Sequence, residues 1–383
     1  MRKEIKYIGF YDLPGSKTKR ASNLAATNKM DYICDAIIEA GFDVHLVSPS
    51  WTIEDGKFKW IPQKTKELKA HKKITLCPNF VTSNKICRNL KIVFSLLWLF
   101  FWLLKHTRKG EKILMYHVQW LSLPVRWAKK LKGFLLVLEV EEFYNKVWEN
   151  KDILKRWENK LIENADYYIA VSDVLAEILG PKVKGVVYGN YLLPKLSNLK
   201  PFLENNKTHV VYAGSIDDTK GGAYNAAKCA ELLPENFIVH ILGTGNKKDL
   251  DKLIGIIDNV NKEKKRNACE YHGVLIGEDY SNFLFNCQIA LNPQIEGEYM
   301  NTAFPSKVIS YLSHNLRVVS TRINSIEKSK LSYFITFSED DQPENIVSSI
   351  LSIKLDSPLD SASEIQKLNN DFVIHLNRLL TDD

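Results

Sequence analysis

The chain has 383 residues, 45% hydrophobic and 25% charged, with a formal net charge of +7. That length exceeds what one hydrophobic core sustains, so two domains of about 180 residues each are expected; the absence of any long Pro-, Gly- or Ser-rich tract excludes a low-complexity or disordered chain. The charge is uneven: residues 1–200 carry 34 Lys plus Arg against 20 Asp plus Glu, and residues 201–383 carry 18 against 25, so the N-terminal half suits an anionic partner such as a lipid headgroup, a diphosphate-linked acceptor or nucleic acid, or else holds solvated lysines that only confer solubility.

Ile5 to Phe10 is a short apolar run that follows Met1, Arg2, Lys3 and Glu4 directly, without the apolar region and cleavage site of an export signal. The turn formers Tyr11 to Gly15 come next, then a helical stretch from Asn23 to Glu39, Gly41, and a second strand from Phe42 to Val47. This β-loop-α-β order opens a parallel sheet. Lys112 to His117, Phe134 to Glu139, Tyr167 to Val171 and Gly185 to Tyr188 continue the rhythm as buried strands. The polar, proline-punctuated text after Asn190 marks a domain junction, giving domains at 1–190 and 191–360.

The second series reads Thr208 to Ala213 as a strand, Gly222 to Leu233 as a helix, Phe237 to Leu242 as a strand and Asp249 to Lys262 as a helix. Strands at Glu270 to Gly273, Ile289 to Leu291 and Val318 to Ser320 alternate with helices at Tyr280 to Asn286 and Ser306 to Ser313. A last helix, Ser361 to Leu380, has no strand after it, so residues 361–383 are expected to pack back on the N-terminal domain. Six scattered cysteines without a CxxC pair read as free thiols of a reducing, cytoplasmic compartment.

In open α/β sheets ligands bind beyond the carboxyl ends of the strands, with the first βα loop as the usual phosphate cradle. Gly15 occupies that place, in a loop that is otherwise an ordinary surface turn; it is not GxGxxG, and the second strand ends in Ser48-Pro49 rather than an acidic residue, so a nicotinamide dinucleotide is disfavoured. The second half carries more. Val210 to Gly222 is a strand, a turn with Gly214 and Ser215, and Lys220 just before a helix start, a combination of cation and helix amides that suits a diphosphate. Phe304 to Ser313 opens another helix with Pro305, Ser306 and Lys307, where Ser306 is expected to cap and Lys307 to reach outward.

These segments resemble the GT-B glycosyltransferases, in particular the bacterial group 1, glycogen synthase-like enzymes of surface polysaccharide assembly. Val211 to Gly221 is similar to the family's phosphate motif, Ile241 to Gly245 with Gly243 to its I-x-G-x-G, and Tyr271 to Val274 followed by Asn292-Pro293 to its G-x-V and A-x-L-x-x-P segments. Phe304 to Thr321 resembles its final sugar- and ribose-binding helix and strand. The resemblance implies two Rossmann-like domains facing across a cleft and donor contacts from Gly15, Gly214, Ser215, Lys220, Gly243, Val274, Thr302, Ser306, Lys307 and Ser310. It also implies transfer of a hexosyl unit, UDP-linked, to a surface polysaccharide or lipid-linked oligosaccharide, with no cofactor and no obligatory metal. Two departures stand out: the family arginine falls at Ser215, and its paired glutamates fall at Thr302 and Ser310, with Glu296 and Glu298 just upstream as replacements for the first.

No metal site is legible. Asp249 and Asp251 are the one short acidic pair, and on a helix they diverge, so they read as a solvated face. The resemblance makes His117 the histidine over the donor sugar, against a structural histidine as the rival. The carboxylate-dense end Glu139, Glu141, Glu142 offers a base for an acceptor hydroxyl, Glu141 or Glu142.

Ile92 to Leu104 is a run of thirteen apolar or small residues, about 20 Å as a helix and short of the roughly 30 Å hydrocarbon core, so it is not read as a transmembrane segment. It is either a buried core helix or an interfacial one carrying Trp98 and Trp102, flanked by Lys85, Arg88 and Lys91 before and Lys105, Arg108 and Lys109 after. With the basic half-charge the reading is peripheral attachment to the anionic inner leaflet of the plasma membrane. Rival functions are a nucleotide-sugar epimerase or phosphorylase on the same fold and a non-catalytic sugar-nucleotide-binding or membrane scaffold subunit; nucleic-acid binding ranks lowest, since the basic residues are spread through several elements with no recognition motif, and no nucleic-acid partner is expected.

Overall fold

A computed structural model describes residues 2–13, 15–142, 152–194, 206–295 and 302–381. The chain divides into two compact units, Met1–Asn190 with Asn369–Asp383, and Tyr191–Leu368.

In the first unit the strands are β1 (Glu4–Ile8), β2 (Asp43–Ser48), β3 (Lys59–Ile61), β4 (Lys64–Lys69), β5 (Lys72–Leu76), β6 (Asn79–Val81), β7 (Lys112–Tyr116), β8 (Leu135–Val140), β9 (Tyr167–Ala170) and β10 (Val183–Val186). Eight of them form one sheet in the order β10-β9-β8-β7-β1-β2-β5-β4, and β3 pairs with β6 as a separate antiparallel ribbon. All neighbours in the sheet run parallel except β4 on β5. Strands such as β7 and β8 are buried along nearly their whole length, which is why they read as continuous apolar runs rather than alternating ones. The crossover direction reverses between β1 and β7, and the carboxyl ends there are where a ligand site belongs.

The helix Leu24–Glu39 starts at Asn23, whose side chain accepts the amides of Ala25 and Ala26, and buries Met30, Ile33 and Ile37. The helix over the apolar run is longer than the run itself: Lys85–His106, 22 residues and about 33 Å. Its Ile86–His106 portion, with a mean hydropathy of 1.6 over its most apolar window, is long and apolar enough to cross a membrane, so the length argument against a span does not hold. The helix is amphipathic in an unusual sense. Ser95, Leu99, Trp102 and Leu103 are buried, with the Asn79 amide donating to Ser95 Oγ at 2.8 Å, while Ile86, Leu90, Val93, Leu97 and Phe101 are each more than half exposed along the opposite stripe. Trp102 is thus an inward residue, buried with its ring edge-on to His45 at 5.4 Å, and Trp98 packs beside it at 6.3 Å.

In the second unit β11 (Thr208–Ile216), β12 (Phe237–Gly245), β13 (Cys269–Tyr271), β14 (Ile289–Asn292), β15 (Arg317–Ser320) and β16 (Ile335–Phe337) form an all-parallel sheet in the order β13-β12-β11-β14-β15-β16. Counted within the unit this is 3-2-1-4-5-6, the Rossmann order, with its switch point between β11 and β14. Val210, Tyr212, Ala227, Val239, Ile241, Leu253 and Ile289 make its core, each buried aliphatic side chain contributing about 1.5–3 kcal/mol. Asp249 and Asp251 lie in the helix Lys247–Lys264, but Asp249 is buried rather than solvated: its amide donates to the N-cap Asn246, whose own amide group returns a 2.6 Å bond to the carboxylate.

The last helix, Ser361–Thr381, begins in the second unit, where the Ser361 hydroxyl donates to Leu312 O at 2.7 Å. From Asn369 onward it belongs to the first: Asn369 accepts from Tyr32, Phe372 stacks on the Tyr32 ring at 6.0 Å, and Asn377 donates to Ala40 O.

Candidate active site

At the switch point of the second unit β11 ends in Gly214, Ser215 and Ile216, and the chain turns through Asp217 to Lys220 into the helix Gly222–Leu232. The Asp217 carboxylate accepts the Lys220 amide at 2.8 Å, and Gly221 takes φ +61°, a left-handed step that lets the helix start abruptly. No side chain caps that start. The helix Ser306–Ser313 is likewise uncapped: its N-cap is Pro305, and Ser306 is its first helical residue rather than the cap the sequence leads one to expect. Neither helix start has a side-chain cap, the arrangement that suits an anion.

Lys307, in the first turn of the second of these helices, brings the two starts together. Its ammonium lies 4.2 Å from the centroid of the Tyr212 ring, and a Cβ built on Gly214 would stand 3.1 Å from it. Burial and the neighbouring Lys220 charge pull its pKa down to about 7, with Asp217 opposing. A cation held near a like charge is relieved by a bound anion. The loop after β14 is fixed to the same place: Ile295 N–H donates to Lys220 O at 3.0 Å, and the Asn292, Gln294, Ser320 and Thr321 side chains knit its root together. Gly243 makes the close approach of β12 possible, since a Cβ there would fall 1.8 Å from Gly214 O at φ +140°.

In the first unit the carboxyl end of β8 presents a second cluster. Glu139 is 1% exposed; burial first, then repulsion by Glu141, raises its pKa to about 8, against the pull of Lys29 and a hydrogen bond from the Tyr7 hydroxyl. Glu141 is partly exposed, with Lys29 Nζ 3.3 Å from Oε1 while the same ammonium donates to Val187 O at 2.8 Å. At neutral pH Glu139 therefore holds its proton, while Glu141 faces the Lys29 ammonium. His117 follows β7 and is wholly buried, its ring 3.6 Å from Glu158, and desolvation lowers its pKa to about 4, so the imidazole is neutral and offers no open face to a sugar.

Lys29 and Tyr7 escaped the sequence reading. Lys29 did leave a signal: it shares the apolar stripe of its helix with Ile33, Ala36 and Ile37, where a lysine is out of place unless it meets a charge. Of the other sequence candidates, Gly15 stands exposed at φ +70° in the loop after β1, with no heavy atom near a built Cβ. Glu142 is half-buried beside Glu141, Val274 is exposed after β13, Thr302 is buried, and Ser310 donates to the Tyr280 hydroxyl at 3.1 Å. Glu296 and Glu298 lie outside the described residues.

Two Rossmann-like units, with the last helix starting in one and ending in the other, define the chain as a GT-B fold. No family model matches the chain, and no curated protein matches it in sequence. Solved structures do match over nearly its full length. An E. coli trehalose-6-phosphate protein bound with UDP-2-fluoro glucose superposes with a TM-score of 0.66 at 11% identity, covering 98% of each chain. The sucrose-phosphate synthase of Thermosynechococcus elongatus gives 0.66 at 14%, covering 99% of this chain and 95% of that one. HepE of Anabaena, solved with UDP and glucose, gives 0.63 at 13%, covering 99% and 98%. At such identities the likeness establishes the fold.

Proposed function

We propose that the chain is a glycosyltransferase that moves a hexosyl unit from a UDP-linked sugar to a glycan acceptor, with the second unit binding the donor and the first supplying the base. The observation that carries this reading is the meeting of Lys220, Lys307 and two uncapped helix starts at the Rossmann switch point. Where the family resemblance leaves Ser215 in place of an arginine, the two lysines supply the positive charge that stabilises a departing diphosphate. Glu141, paired with Lys29, accepts the proton of the acceptor hydroxyl as it attacks the anomeric carbon, and Glu139 keeps its own proton. Gly214 and Gly243 hold backbone, not side chain, against the diphosphate. The buried His117 is a positioning residue beneath the β7 and β8 ends.

The acceptor is read as lipid-linked or part of a surface glycan, and the chain as peripheral at an anionic leaflet. The support is the exposed stripe Ile86, Leu90, Val93, Leu97 and Phe101, together with Leu123, Trp127 and Leu131 on the helix Ser122–Lys132 packed beside it, which also carries Arg126, Lys129, Lys130 and Lys132. Apolar area edged by cations suits anionic lipid. A soluble sugar phosphate is the rival acceptor, the class named in the synthases above. Chromatography of UDP released from UDP-hexoses, with lipid-linked and with phosphorylated sugar acceptors, decides: acceptor-dependent UDP release is expected. Interconversion of the donor without free UDP would indicate an epimerase, and donor binding without any turnover a scaffold; either result overturns the proposal.

A further inference from the structure

The sheet of the second unit carries a histidine-rich cluster that the glycosyl-transfer chemistry does not use. β12 and β13 run parallel with His240 opposite Glu270, so these two side chains lie on one face. His272, two residues beyond Glu270, falls on the same face, and its amide still donates to Ile241 O at 3.0 Å. His209 of β11 lies on that face diagonally, its Nδ1 2.9 Å from His240 Nε2. The other face, with Val239, Ile241 and Cys269, is hydrophobic core, so the pleat alone segregates the four polar groups.

Their spacing is specific. His240 Nδ1 and His272 Nε2 are 3.0 Å apart, and Glu270 Oε2 stands 3.6 Å from the first and 3.5 Å from the second. Three donor atoms around a tetrahedral ion with bonds of about 2.0–2.2 Å lie about 3.4 Å from one another. Among the described residues this is the one group of three such side chains that close together. With His240 Nε2–H donating to His209 Nδ1, the lone pair of His240 Nδ1 faces the other two donors, and His209 becomes the outer partner that orients a metal-binding imidazole. The Phe283 ring closes the cluster over His240 and His272, centroids 5.3 and 4.8 Å away. Glu270 and His272 keep 36% and 27% side-chain exposure, which leaves an entry path.

We infer that His240, Glu270 and His272 form a binding site for a divalent transition metal of the Zn2+ type, with a fourth position left to water. Two imidazoles and one carboxylate suit Zn2+ or Co2+ and disfavour Mg2+ and Ca2+, which take oxygen ligands. The ion pins the edge strand β13 and its Gly273–Val274 turn to β12. It is independent of the diphosphate site and of the transferase reading.

The test uses the untagged full chain. After loading and exhaustive dialysis, elemental analysis is expected to find one Zn2+ per chain, and Co2+ to give the visible absorption of a four-coordinate site. Glu270→Gln and His272→Ala are each expected to lose both signals, and His209→Asn to weaken Zn2+ binding about 10–100-fold while keeping the stoichiometry. Absence of retained metal in the wild type overturns the inference, as does equal retention in Glu270→Gln and His272→Ala. Should His272→Ala not fold, the half-exposed and nearly isosteric Glu270→Gln decides.

Discussion

Both units are built on a largely parallel sheet whose strand order reverses beside its first strand, and they carry opposite chemistry at the carboxyl ends of those sheets. Residues 1–200, rich in Lys and Arg, present the buried Glu139 and the partly open Glu141; residues 201–383, in which acids outnumber bases, present Lys220 and Lys307. Bulk charge therefore runs contrary to site charge in both. A solvated lysine on an exposed strand such as β4 counts fully toward net charge and contributes almost nothing to a site, whereas one ammonium enclosed beside Tyr212 and another against Glu141 shape the local chemistry where the dielectric is low.

Substitutions that exchange or erase these characters should separate the units' roles. The largest effect is expected from Glu141→Gln, which should lower kcat by about 10²–10⁴-fold with UDP binding unchanged, whereas Glu142→Gln should stay within a few-fold; steady-state kinetics and calorimetry read the two quantities. Next, Lys220→Ala and Lys307→Ala should each weaken UDP binding by about 1.5–3 kcal/mol, roughly 10- to 150-fold, without altering the pKa that governs the acid–base step. The third test is pH. With the Lys307 pKa at about 7 in the free protein, anion binding takes up a proton, so UDP affinity should fall as pH rises from 7 to 9, by at most about tenfold per unit. Lys307→Arg, charged throughout, should flatten that dependence. The smallest effect on chemistry is expected at the outer face of the first unit: Leu97→Glu with Phe101→Glu should abolish flotation with anionic vesicles and leave turnover of a soluble acceptor unaltered.

Much of the second unit was legible because its strands and turns coincide with local signals. Thr208, Gly222, Phe237 and Ser306 all open elements where apolar runs, glycines or a proline say they should. The ribbon and hairpin strands β3 to β6 were not legible, since the Lys64–Lys69 strand is exposed along nearly its whole length and shows no apolar alternation; pairing with β5, not its own pattern, makes it a strand. The site divides the same way. Lys220, Lys307 and Gly214 are visible through motif order. Lys29 with Glu141, and His240 with Glu270 and His272, depend on residues 112 and about 30 positions apart that only the sheet brings together. Ser306 failed as a cap because the helix begins on it, leaving Pro305 at the cap position.

A crystal soaked with UDP tests the central claim most directly. The account predicts pyrophosphate oxygens bonded to the Lys220 and Lys307 ammonium groups and to the first amides of the helices Gly222–Leu232 and Ser306–Ser313. UDP bound elsewhere on the chain, with both lysines untouched, would contradict it.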